Sequence, residues 1–559
     1  MPVRPQEQLY EYREPVTTRP AATVLLMRDV PGGYEVLMTR RSMTASFAPG
    51  AFVFPGGALD KSDGSILAQQ LSVTRASQHE EQKAFTVASI REAFEELGVL
   101  LAYRANGEMA GAQEIAQLSR ERDADFLADI ERNGLKLAVD KVYFLCHWIT
   151  DRDLPKRFDA RFFAARMPEG QTPVADEGEQ FEPVWVSPSE ALGRHARGEF
   201  SMIFPTIRTL RWMSRFASID ALIDACQGEK PLFVSSPRAG FLKGDVERFS
   251  EHEAAYGELE LVVPDGQIRH SLDWNYQEPV ALLRNVFRLT CPNPGMMTGA
   301  GTNTYIIAGR ASEAADAPIT EYAVIDPGPT DRAHVERIAA VVGSKLKYIL
   351  CTHAHLDHSP GAAHLQELTG APILGRKWLP STFGKPDYGD FYPDQEIQHG
   401  ERFKVGHTTL RAVHTPGHAS NHLCFIMEED GLLISGDHIN NGSTVVINPP
   451  DGNMLAYIMA LDALAKEPVD YILPAHGWVL GPAKLAIAQL KEHRLGREAK
   501  VFKALQGHNH STTKSLLPIV YNDVRPELFP VAERSLIAHL EKLVEDGRVS
   551  VKAEVYSLA

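Results

Sequence analysis

Between Cys351 and Ala362 the chain reads CTHAHLDHSPGA, with three histidines and an aspartate inside six residues. Imidazole and carboxylate are borderline and hard ligands of the kind zinc-type ions take. The apolar, β-branched run LKYILC just before them predicts a buried strand, and GAAHLQELTG predicts a following helix, so His353, His355, Asp357 and His358 fall in a strand-to-helix loop. Four side chains from so short a loop point to different sides. One ion cannot easily collect them all, whereas two could share them. Further donors stand after later strands: His418 beyond TLRAVH, Asp437 ending LLISGD and His476 in YILPAHG. An open α/β sheet presents such strand ends along one edge. His414 and His422, taken singly, read as core histidines satisfied by backbone. No cysteine belongs to this set.

A second cluster is REAFEELGV at 91–99. On a helix Glu92, Glu95 and Glu96 stand at i, i+3 and i+4 and share a face. Three adjoining carboxylates repel one another, while a magnesium ion that keeps part of its water suits them. Arg91 pairs with Glu95 at i+4. The competing reading is a charged surface helix stopped by Gly98.

THAHLDH with His418, Asp437 and His476 resembles the metallo-β-lactamase superfamily. That resemblance implies that His353, His355 and His418 hold one ion, that Asp357, His358 and His476 hold a second, and that Asp437 bridges them. It implies two Zn2+, or Mn2+ or Fe2+, with Asp357 also helping to orient the attacking water. CPNPGMMTGAGTNTYIIAG at 291–309 resembles the opening of the lactamase-like protein 2 group, whose members include a single-strand-preferring endoribonuclease. The tail resembles a winged helix, with a small helical cap or dimer contact as the other reading. REAFEELGV, preceded by FVFPGGALD at 52–60 and followed by WVSPSEAL at 185–192, resembles a Nudix box. That implies Mg2+ or Mn2+ on Glu95 and Glu96, with Glu92 supporting the metal or acting as base. The pattern departs from the box at Lys83, where a glutamate is usual, and Asp60, Glu80 and Glu81 compete for that role. With RRSMTASFAPGAFVFPGG ahead and RFDARFF behind, this form resembles the peroxisomal coenzyme A diphosphatase branch. Arg40 and Arg41 then meet phosphates, or else form a strand-end surface pair. Glu177, Glu179 and Glu182 are candidate bases in a loop outside the box.

The elements that must position these residues span 559 residues, which implies about three or four domains at roughly 100–200 residues each. The expected organisation is multidomain α/β and α+β. An arm at 1–19 leads into a Nudix α/β/α domain at 20–215. An extension or linker at 216–282 precedes a metallo-β-lactamase αββα sandwich at 283–485, and 486–559 forms a small winged-helix-like α+β tail. No apolar run reaches the ~18–20 residues of a bilayer span, and the start lacks a secretory pattern. Five scattered cysteines suit reduced thiols in the cytoplasm. A net charge of −15 argues against wholesale wrapping of nucleic acid.

The expected function is a bifunctional metal-dependent hydrolase. A diphosphatase for coenzyme A-type nucleotides is fused to a dinuclear hydrolase of thioesters or phosphodiesters, and homodimerisation is possible for either. The alternatives are an endoribonuclease acting on single-stranded RNA, and a metallo-hydrolase regulated by a non-catalytic nucleotide-sensing Nudix domain.

Overall fold

The computed structural model describes residues 3–45, 48–121, 124–176, 180–378 and 391–559. They form two compact units. One is Pro15–Pro237; the other joins the residues up to Glu14 to Arg238–Ala559.

The strand Arg19–Val30 lies at the heart of the Pro15–Pro237 unit. It runs parallel to Phe158–Arg166 and antiparallel to Gly33–Arg41. Its alternating side chains serve opposite faces, as a pleated strand requires. Val24 and Leu26 pack with Ile90, Ala93, Phe94 and Leu97 of the helix Glu80–Leu97. Leu25 and Met27 pack with Leu210, Met213, Ile219 and Leu222 from helices Phe204–Met213 and Ile219–Cys226. Burial on both faces explains why TVLLM reads as one apolar run rather than an alternation. The result is an α/β/α layering.

The second unit is an αββα sandwich. One sheet has seven strands, from Val280–Leu283 to Gln395–Glu396; the other has five, from Arg402–Val405 to Tyr471–Pro474. Their facing sides share a core that includes Tyr305, Ile307, Ile325, Leu350, Phe425, Ile434 and Leu473. Helices Arg332–Val342 and Gly361–Thr369 cover the first sheet through Val335, Ile338 and Leu365. Helix Met454–Leu464 covers the second with Tyr457 and Leu461.

The stretch 216–282 is divided between the units. Residues 238–282 form a hairpin, Arg238–Leu242 with Asp245–Phe249, and a helix, Tyr256–Val262. Leu261, Val262 and Val263 enter the inter-sheet core. A buried ion cluster fixes this segment: Glu258 accepts from Arg288 and meets His270 Nε2 at 2.9 Å. The arm is anchored too, because Arg4 grips the buried Asp430 through Nε and Nη2, both at 2.8 Å.

The tail contains helices Thr513–Val520 and Phe529–Glu545 and the hairpin Val549–Lys552 with Val555–Leu558. The 25-residue helix Ala483–Gly507 serves both layers. Ile487 lies in the sandwich core, and Val501 and Leu505 lie in the tail core. The expected boundary at 485/486 therefore falls inside one continuous helix. Among the described residues, no helix is long and apolar enough to cross a membrane.

Candidate metal centre

The strand Leu346–Leu350 delivers the loop carrying His353, His355, Asp357 and His358 to the edge of its sheet. His418 follows Thr408–His414, Asp437 follows Leu432–Gly436 and His476 follows Tyr471–Pro474 in the other sheet. All seven converge. Donor atoms of His353, His355, His418 and Asp437 lie within 4.8 Å of one another, as do those of Asp357, His358 and His476. His355 Nδ1 stands 2.8 Å from His353 Nε2 and 2.9 Å from His418 Nε2. Asp437 spans the two groups: Oδ2 is 3.5 Å from both His418 Nε2 and His358 Nε2, and Oδ1 is 3.1 Å from His476 Nε2.

The outward nitrogens decide what faces inward. His418 Nδ1 lies 2.8 Å from the carbonyl of Val446 and His476 Nδ1 3.2 Å from that of Gly301. A carbonyl only accepts, so each Nδ1 carries a proton and is committed outward, which leaves each Nε2 as the nitrogen that faces inward. His358 Nδ1 donates to Asp326 Oδ2 at 2.8 Å in the same way. Thr352 spends its hydroxyl proton on Asp326 Oδ2 at 2.7 Å, so its oxygen accepts from His353 Nδ1 at 2.9 Å. Such outer hydrogen bonds are what fix tautomer and aim in histidine metal sites. The buried Nε2 of His358 has no hydrogen-bond partner among the described residues. The donor chemistry therefore fits a pair of divalent ions.

Electrostatics divides the set. Burial, reinforced by the neighbouring rings, holds His353 and His355 well below the usual histidine range. Burial also opposes charge on His358 and His476, but the adjoining aspartates outweigh it: His358 is raised well above its ordinary value and His476 to about 10. Burial would likewise raise Asp357 and Asp437, yet His358 and His476 pull both below the carboxylate range.

Asp326 and Thr352 went unrecognised in the sequence. Asp326 ends the strand Ile319–Ile325 with φ 52°, a left-handed conformation that aspartate tolerates better than most residues. In YAVIDPG it reads as an ordinary turn residue. His422 is a core histidine bonded to Thr415 Oγ1 at 2.9 Å, and His414 Nε2 meets the carbonyl of Ser420 at 3.0 Å.

The glutamate cluster in the other unit is held differently. Arg91 Nη1 bonds Glu92 at 2.9 Å and Glu95 at 2.8 Å. Glu96 accepts from Gly56 N at 3.0 Å and Gln180 Nε2 at 2.9 Å. Burial raises Glu92 to about 7 and Glu96 to about 8. A Cβ on Gly57 would lie 2.5 Å from the Glu92 carboxylate, so a side chain there would have to displace that carboxylate from its place.

The acid that meets Arg91 from ahead of the helix is Asp63, whose Oδ1 and Oδ2 each lie 3.1 Å from the guanidinium. Asp60 instead caps Ser62, and Glu80 pairs with Lys83 at 2.6 Å. Asp63 falls three residues beyond the FVFPGGALD motif and was not singled out in the sequence. Arg40 binds Glu182 at 2.7 Å, and Arg41 is among the charges that lower Glu96. Glu177 and Glu179 lie outside the described residues.

An αββα sandwich with seven nitrogen and oxygen donors at its rim defines a metal-dependent hydrolase class. Residues 301–476 match the family model of the metallo-beta-lactamase superfamily, and residues 512–555 match the beta-lactamase associated winged helix domain. The chain belongs to the metallo-beta-lactamase superfamily. An atrochrysone carboxyl ACP thioesterase from Cryptosporiopsis sp. (strain 8999) is 31% identical over 288 residues, 47% of this chain and 81% of the relative. A beta-lactamase-like protein 2 homolog from Drosophila melanogaster is 27% identical, covering 48% of this chain and 91% of its own. Among solved structures, a metallo-beta-lactamase family protein from Thermus thermophilus aligns with TM-score 0.41 at 22% identity over 50% of this chain and all of its own. A NUDIX hydrolase from Alicyclobacillus acidocaldarius aligns with TM-score 0.34 at 26% identity, over 38% of this chain and 97% of its own.

Proposed function

We propose that the chain is a bifunctional hydrolase. Its sandwich unit cleaves thioesters, and its Pro15–Pro237 unit cleaves a diphosphate of the coenzyme A kind. The observation that carries the first half is the inward aim of the imidazole nitrogens, fixed by acceptors on their far sides. His353, His355 and His418 would hold one divalent ion, Asp357, His358 and His476 another, and Asp437 both. Two such ions supply Lewis acidity, acidifying a water and polarising the scissile carbonyl. The protein positions the rest. Asp357, an anion at neutral pH, accepts a proton from the attacking water and aims its lone pair at the acyl carbon. The carbon–oxygen bond forms, the carbon–sulfur bond breaks, and the departing sulfur takes up the proton that Asp357 accepted and leaves as thiol.

The thioesterase relative supports thioester over phosphodiester. RNA has less support: Arg497 and Lys500, on the helix that leads into the winged helix, both pair with Asp523 rather than standing open to a phosphate backbone. The second half rests on the Glu92, Glu95 and Glu96 array, clamped by Arg91 and faced by the Gly56–Gly57 turn. Carboxylates with pKa values raised by burial are poised to take up a hard cation, which relieves their repulsion.

To test both halves, acyl-coenzyme A is incubated with the protein and free thiol and 3′,5′-ADP are followed by mass. Thiol should vanish with His355→Ala and 3′,5′-ADP with Glu95→Ala, each without loss of the other product. Absence of either product from the unaltered protein sinks the corresponding half.

A further inference from the structure

Asp357 is only partly buried, with 27% of its side chain exposed, and a hydroxyl reaches it from the residue just before the strand Asn303–Arg310. That residue, the fully buried Thr302, stands with Oγ1 3.2 Å from Asp357 Oδ2. The direction of that bond is fixed by Asn293. Thr302 N–H donates to Asn293 Oδ1 at 2.9 Å, and a backbone N–H cannot accept, so the opposite end of the amide is the NH2 group. That group donates to Thr302 Oγ1 at 3.0 Å. The hydroxyl's own proton is left for Asp357.

The loop around them is built tightly. Cys291 N–H donates to the Thr302 carbonyl at 2.8 Å. A Cβ at Gly301, where φ is +141°, would run into the carbonyl oxygen of Cys291. The carbonyl of that same Gly301 orients His476. Two successive residues thus steer two members of one donor trio, Asp357 and His476.

We infer that Thr302, oriented by Asn293, is a positioning residue that aims the Asp357 carboxylate and so sets the affinity of the Asp357, His358 and His476 trio for its divalent ion. The inference rests on reading the cluster as a metal centre, but it makes a claim about one half of that centre only. Outer hydrogen bonds of this kind are worth about 10–100-fold in metal affinity.

The full-length chain is equilibrated with Zn2+ against chelators of graded strength, and bound zinc is counted by mass spectrometry. Visible absorption after Co2+ substitution reports each site's geometry. Unaltered protein and Thr302→Ser should retain two equivalents alike. Thr302→Val should keep one at unaltered affinity and bind the other about 10–100-fold more weakly. Asn293→Ala should shift the same equivalent in the same direction. Combining Thr302→Val with Asp357→Ala should weaken binding no further than Asp357→Ala alone. Two equivalents at unaltered affinity in both Thr302→Val and Asn293→Ala overturn the inference while leaving the metal reading intact. Equal weakening of both equivalents overturns it in favour of a general structural role. Failure of the unaltered chain to take up two ions overturns the inference and the metal reading together. Should Thr302→Val fail to fold by circular dichroism, Asn293→Ala decides.

Discussion

Asp326 has no place among the seven donors, yet it reaches both groups. It accepts from His358 Nδ1 directly, and through Thr352 it governs His353. Asp326→Ala should therefore weaken both zinc equivalents, by about 10–100-fold, as read by chelator competition. Asp326→Asn should be no milder if its amide turns an N–H toward His358: an imidazole nitrogen forced to accept on its outer side must present a proton inward. The donors themselves were legible because histidine clusters after strands have few other uses. Asp326, Thr352 and Asp63 were not, because one acid or hydroxyl in a turn looks the same whether it supports a site or a loop.

The short strands and single helix of 238–282 illustrate the limit at the scale of elements. A charged run, KGDVERFSEHEAAYGE, dominates that stretch, and only a few apolar residues such as Leu261 and Val262 betray that it enters a core. Its buried acid makes a pH-dependent prediction. Burial alone would raise Glu258, but Arg288 and His270 overcome it and bring it to about 2. A depressed carboxylate stabilises the fold above its unfolded pKa, and that stability is lost as pH falls through the folded one. The window runs from about 4.5 down to about 2, and the contribution at neutral pH is about 3 kcal/mol. Glu258→Gln should lower the unfolding free energy at pH 7 by that order and flatten its decline between those pH values, measured by urea titration. An unchanged acid limb would show that other carboxylates govern acid unfolding. The sandwich strands were easier to read, since burial on both faces leaves uninterrupted apolar runs such as KYILC and HLCFIM.

Each unit of the whole molecule has its own core, and linked domains generally respond separately. Asp437→Ala should abolish thiol release while leaving diphosphate cleavage within about twofold, by the paired product assay. In calorimetry Asp437→Ala should shift one thermal transition and spare the other. The arm belongs to the same reckoning. Arg4 is the bidentate partner of a carboxylate with no solvent exposure, and stranding a buried charge costs about 3–5 kcal/mol. Asn285, which also donates to Asp430 at 3.0 Å, should hold the loss from Arg4→Ala toward the lower end. The transition of the Pro15–Pro237 unit should not move.

That handshake spans 426 positions of chain. During synthesis at roughly 5–20 residues per second, Arg4 leaves the ribosome about 20–85 s before Asp430 does. The whole of Pro15–Pro237 can collapse in the interval, so the last-made unit closes around a tether laid down first, and a recombinant fragment beginning at Arg238 would lack the strand of backbone its own acid was buried to receive.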